Sequence, residues 1–150
     1  MEPVPDFNLE KYLGRWYEIA RMPALFENNL TQVTATYSLR DDGKVRVENE
    51  GIDARSSKPK KAIGKAKFAG SADRGHLKVS FFGPFYADYI ILELDREYRY
   101  TMVASSMKYL WILSRKPVLE KGMLDGLVEK AKSLGFETDK LYFTPQACNG

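Results

Sequence analysis

Gly14–Pro23 reads GRWYEIARMP. Trp16, Glu18 and Ala20 alternate with Tyr17, Ile19 and Arg21, so neither face of this apparent strand is uniformly apolar or uniformly polar. A strand with one face in a filled core and the other in water alternates more simply. Whatever the Trp16 face looks onto must accept an indole, a carboxyl group and a methyl group in succession. That suits the interior of a hollow barrel better than a filled core.

The chain beyond supplies the rest of such a barrel. Seven further runs of strand character follow at 33–39, 45–52, 62–69, 76–82, 86–94, 98–105 and 109–114. They are separated by turn chemistry: RDDGK with its Asp-Gly pair, the polar SSKPKK, GSADRG, GPF, DRE and SMK. Short spacing makes consecutive strands antiparallel neighbours. Past Pro117 the period changes, because Leu119, Met123, Leu124, Leu127, Val128, Ala131 and Leu134 recur at helical intervals and stop at Gly135. The expectation is all-β: an eight-stranded antiparallel up-and-down β-barrel over about 14–115, one α-helix packed outside over about 118–134, and a short C-terminal strand near 140–144. All of it forms one domain, 1–150.

The composition excludes several classes. Acidic and basic residues are interspersed and the net charge is only +3, too weak a bias for a nucleic-acid surface. No run is apolar enough for a signal peptide or a membrane-spanning helix. The single cysteine, Cys148, rules out an intrachain disulfide. His76 is the one histidine, and no nucleophile elbow, phosphate loop or zinc spacing accompanies it, so neither a catalytic residue nor a metal or other cofactor is expected. Asn29 heads an Asn-Leu-Thr acceptor that matters only in a eukaryotic secretory setting.

Three blocks, GRWYEIA (14–20), LDREY (94–98) and YLWILSR (109–115), resemble those of the lipocalin family in order and spacing, and the likeness runs from about Phe7 to Gln146. Within the family the longer runs VTATYSLRDDG, LKVSFFGPF and YLWILSRKP resemble the branch of the bacterial outer-membrane lipocalin, apolipoprotein D and the plant temperature-induced lipocalins. The resemblance implies a barrel that carries a small hydrophobic molecule, a fatty acid or lysophospholipid in the bacterial branch. It implies that Gly14, Trp16, Asp95, Tyr98 and Arg115 are fold residues, with the Arg115 guanidinium laid across the Trp16 indole at the closed end. It implies the cell envelope, outer membrane or periplasm, if a signal has been trimmed, and otherwise the cytoplasm. Membrane association, and the choice between monomer and homodimer, stay open. The anchoring cysteine of the bacterial lipoproteins is absent, and Cys148 falls at a disulfide position of apolipoprotein D whose partner position, near Gln32, holds no cysteine.

Counting faces outward from an inward Trp16 places Ala20, Tyr37, Val47, Asn49, Val79, Phe81, Tyr89, Ile91, Trp111 and Leu113 inside as ligand-binding candidates. Tyr37, Asn49 and Trp111 combine apolar surface with a polar group that needs a partner when buried. The same alternation turns Glu18 and Glu93 inward, where each must meet an arginine, a hydroxyl or water. Lys58, Lys60, Lys61, Lys65 and Lys67 are either solvated surface or a basic rim for anionic head groups. The leading function is a lipid carrier; an isomerase or synthase, and a barrel that binds a partner protein, are the alternatives.

Overall fold

A computed structural model of the chain describes residues 1–22 and 29–147. Cys148 and most of the loop expected after Pro23 lie outside the described residues. Eight strands run as β1 (Gly14–Arg21), β2 (Leu30–Leu39), β3 (Val45–Asp53), β4 (Pro59–Phe68), β5 (His76–Phe82), β6 (Phe85–Leu94), β7 (Tyr100–Ser106) and β8 (Tyr109–Ser114). Each pairs antiparallel with the next, and β1 closes the barrel by pairing with both β8 and β2. A two-residue β9 (Tyr142–Phe143) pairs with β1 at Ala20 and Arg21, outside the closed eight. Two helices flank the barrel, α1 (Leu9–Tyr12) before it and α2 (Lys121–Ser133) after it, with a 3-10 turn at Thr138–Lys140. Among the described residues no helix is long and apolar enough to cross a membrane.

Several boundaries differ from the sequence reading. β4 begins at Pro59, so Lys60 and Lys61 belong to a strand that opens with Ile52↔Pro59, not to a loop. α2 starts at Lys121, three residues later than the expected bound near 118, and Leu134 is partly exposed. It ends in a Schellman arrangement: the Phe136 amide donates to Ala131 and the Gly135 amide to Lys132, which folds Phe136 back under the helix. α1 was not foreseen; one turn long, it is capped by the Asn8 side chain accepting from the Lys11 amide.

Two apolar layers explain the mixed faces of GRWYEIARMP. One fills the barrel, with Trp16, Tyr37, Val47, Leu77, Ile91, Val103 and Leu113 among its members. The other lies outside, between the barrel wall and α2, and joins Ile19, Met22, Ile90, Leu92, Met102 and Ile112 to Leu127, Ala131 and Phe136. The strands of that sector, β1, β6, β7 and β8, are covered on both sides, so they cannot alternate between apolar and polar. Two irregularities then reverse the count. β1 pairs Glu18↔Leu113 and next Ala20↔Ile112, so Ile19 and Ala20 both face α2, and Arg21 turns inward beside Trp111. β6 pairs Ile91↔Val103 and next Glu93↔Met102. Ala20 and Glu93 are therefore outside, against the expectation; Glu93 meets Lys130 of α2 at 3.5 Å.

Candidate functional site

The closed end is built from the signature residues. Arg115 stacks on Trp16, its guanidinium carbon 3.8 Å from the ring centroid. It also donates to three backbone carbonyls, those of Tyr98, Arg15 and Lys11, at 3.1, 3.0 and 2.8 Å. One side chain thereby ties α1, β1 and the turn before β7. Partial burial lowers the Arg115 pKa from its ordinary value, desolvation being the cause. Gly14 sits at φ +103°, and a Cβ there would come within 3.3 Å of the Arg115 guanidinium, so glycine meets both the dihedral and the clearance. Asp95 accepts from the Arg99 side chain at 2.6 Å, which holds its carboxyl below the usual carboxylate range. Tyr98, at φ +57°, accepts the Asn8 amide on its hydroxyl.

Above this floor the closed half of the barrel is filled, not hollow. The N-terminal segment enters from below: Phe7 and Tyr12 are buried in the inner layer, and the Trp16 indole donates to the Tyr12 carbonyl at 2.8 Å. Tyr89 bridges Tyr12 and Tyr37, hydroxyl to hydroxyl, at 2.8 Å each. Thr101, buried nearby, gives its own proton to the Glu93 carbonyl at 2.9 Å. Burial pushes the Tyr37 phenol up to about 12 and raises Tyr12 and Tyr89 well above the usual tyrosine value. Beside these rings lies an apolar void of about 10 Å³, walled by Phe7, Leu9, Val45, Ala66, Leu77 and Val79 with the three tyrosines. It has room for about one water but no polar wall to hold one.

Toward the open end the inner face stays apolar and aromatic. Val79, Phe81 and Trp111 pack onto the inner layer, and Trp111 stacks with Tyr109 at 6.4 Å. Phe81 crosses Gly64, where a Cβ would approach its ring to 2.8 Å and the Ser80 carbonyl to 2.5 Å, so only a residue without a side chain permits that packing. Asn49, paired with Ala35, shares the inward face by register and is partly buried. The inward Glu18 meets a partner: Arg21 donates to it at 2.6 Å, as does the Thr144 hydroxyl at 2.6 Å. Arg21 also stacks on Tyr142, and the Gln146 amide donates to the Glu18 and Val33 carbonyls, so the C-terminal segment fills the seam where β1 and β2 diverge.

Nine of the ten ligand-binding candidates thus stand on the inner side, and Ala20 does not. Alternation could not have found Tyr12, Phe7 and Leu9, which arrive from outside the strands, nor Arg21, which a bulge turns in. Tyr109 was within reach of the count from Trp111. His76 pairs with Asp88 at 3.0 Å on the surface. Among the described residues no three acidic, histidine or cysteine groups converge on a metal position.

A Lipocalin-like domain model matches residues 7–146, nearly the whole chain. The chain is a lipocalin. It is 48% identical over 148 residues to the outer membrane lipoprotein Blc of Vibrio cholerae, covering 97% of this lipocalin and 86% of the relative. Temperature-induced lipocalin-1 of Arabidopsis thaliana is 38% identical, covering 98% and 83% of the two chains. Mouse apolipoprotein D is 34% identical, covering 95% and 78%. Insecticyanin of the tobacco hornworm Manduca sexta superposes on this lipocalin with a TM-score of 0.81 at 23% identity, covering 99% of this chain and 85% of insecticyanin, a likeness of fold.

Proposed function

We propose that this lipocalin carries a single-chain lipid, a fatty acid or lysophospholipid, with the acyl chain in the open half of the barrel and the head group at the mouth. The observation that carries this reading is the inner wall above the tyrosines: Val79, Phe81 and Trp111 form an apolar and aromatic lining. The inward charges Glu18 and Arg21 neutralise each other at the β1 seam. One extended chain suits an eight-stranded barrel better than two. Relatives named as outer membrane lipoproteins support a place in the cell envelope.

The filled closed half sets a depth limit. Each buried methylene contributes ~0.8 kcal/mol, so affinity rises with chain length until the tail reaches Tyr37 and Tyr89 and then levels off. Fluorescent-probe displacement with a series of saturated fatty acids and their lysophospholipids measures both the slope and the plateau. The reading is abandoned if affinity ignores chain length, or if a diacyl phospholipid binds more tightly than its lyso form. Native mass spectrometry with lipid extraction identifies what the purified protein already holds, and turnover of an added lipid would instead favour an enzyme.

A further inference from the structure

The β5–β6 hairpin carries an apolar surface that the interior does not use. Phe82 and Phe85 pair across its Gly83-Pro84 tip, and they are 80% and 76% exposed, the two most exposed large apolar side chains among the described residues. Extending the Lys65↔Ser80 register by two residues brings Ile63, 52% exposed, alongside Phe82. On the other flank Asp88 falls level with Ser106 by the β6–β7 register, so the hairpin tip projects beyond the β7–β8 turn, whose Met107 is also exposed. All this lies at the open end, around the mouth. Two phenylalanines held out at the tip, 80% and 76% exposed, bury little in a free monomer, and a patch of this kind marks a surface that is covered in use.

The charges beside the patch say what covers it. Arg55, Lys58, Lys60 and Lys108 are exposed on the open-end loops and the start of β4. Of the carboxylates flanking the hairpin and the β3–β4 loop, Glu48 and Glu50 pair with Lys61, Asp88 lies against His76, and Asp53 accepts the Arg55 and Ser56 amides, while Glu137, paired with Lys140, and Asp139 lie on the far side beside α2. The hairpin tip is therefore apolar, and Arg55, Lys58, Lys60 and Lys108 stand near it with no carboxylate ion pair among the described residues. A protein partner would need a cavity shaped to two projecting rings, whereas an anionic bilayer offers apolar depth and surface negative charge without shape matching.

We propose that the open end docks on an anionic phospholipid bilayer, with Phe82 and Phe85 entering the headgroup boundary and Arg55, Lys58, Lys60 and Lys108 lying against the phosphates. Docking in this way sets the mouth on the membrane, so a single-chain lipid passes between bilayer and barrel without crossing water. That exchange rests on the carrier reading; the docking itself does not.

The test is co-sedimentation of the protein with vesicles of phosphatidylcholine, with and without phosphatidylglycerol. Binding is expected only with the anionic lipid and is expected to weaken with salt. The double variant F82S/F85S should lose at least ~10-fold in partitioning while keeping its melting temperature and its binding of a fluorescent fatty acid in the absence of vesicles. In the variant Phe85→Trp, indole fluorescence should be quenched by bilayers of brominated lipid. The proposal is overturned if anionic vesicles are not bound, if F82S/F85S binds them as well as the parent, or if K11E/R96E at the closed end abolishes binding. A protein that docks but ignores fatty acids would remove the carrier reading and leave the docking surface standing.

Discussion

Arg115 illustrates how one side chain can hold a barrel shut. Replacing it with alanine removes the cation over Trp16 and leaves three carbonyls without their donor, at an expected cost of ~2–3 kcal/mol in urea unfolding. Lysine should recover only part of this, since an ammonium cannot span three carbonyls and lie flat on the indole. The tyrosine chain makes a pH prediction. A raised phenol pKa favours the neutral native form, so the stability it contributes is complete below the unfolded value of 10.0 and is lost as pH rises toward the Tyr37 value of about 12. Absorbance titration at the phenolate band should show these three phenols ionising only as the protein unfolds. Tyr89→Phe, which removes the hydroxyl shared by both 2.8 Å contacts, should cost ~1–3 kcal/mol and lower that alkaline midpoint.

Among the elements, β1 and α2 depend on each other. The β1 bulge turns Ile19 and Ala20 together toward the helix, and the helix answers with Leu127 and Ala131, both buried. Gly122 and Gly126 weaken α2 by ~1 kcal/mol each relative to alanine, so packing on the barrel holds it. Leu127→Ala should destabilise the protein by ~2–4 kcal/mol in chemical denaturation, whereas Gly126→Ala, at a site with open space around the added methyl, should stabilise it by up to ~1 kcal/mol. The same bulge delivers Arg21 to Glu18 and both to Thr144. Glu18→Ala removes both the 2.6 Å ion pair with Arg21 and the acceptor of the Thr144 hydroxyl, and is expected to cost ~3–5 kcal/mol. Hydrogen exchange should then speed up first at the Thr144 and Gln32 amides, which tie the C-terminal segment to β1 and β2.

At the scale of the molecule, closure makes the barrel a single cooperative unit. β1 has neighbours on both sides: β8 along Tyr17–Arg21 on one, and β2 at Gly14–Tyr17 followed by β9 at Ala20 and Arg21 on the other. Losing it would expose two edges and both apolar layers. Urea unfolding followed by tryptophan fluorescence, which reports Trp16 inside the closed end and Trp111 near the mouth, should therefore coincide with unfolding followed by far-ultraviolet circular dichroism. Separate transitions would mean that the two ends open independently.

The strand and turn pattern by itself determined an eight-stranded antiparallel barrel with an outside helix, because hairpin-length turns leave consecutive strands little choice but to pair. Alternation also placed Tyr37, Val47, Tyr89, Ile91 and Leu113 on the inner face, since period two carries a side chain to the same side as long as the strand stays regular. Only the tertiary structure decided where that regularity breaks. The bulges that expel Ala20 and Glu93 and admit Arg21 follow from pairing between strands far apart in sequence, and no local propensity encodes them. Nor could the strands announce that Phe7 and Tyr12 would rise from the N-terminal segment to fill the closed half. A side chain's burial depends on what packs over it, and here the covering residues come from outside the sheet they cover.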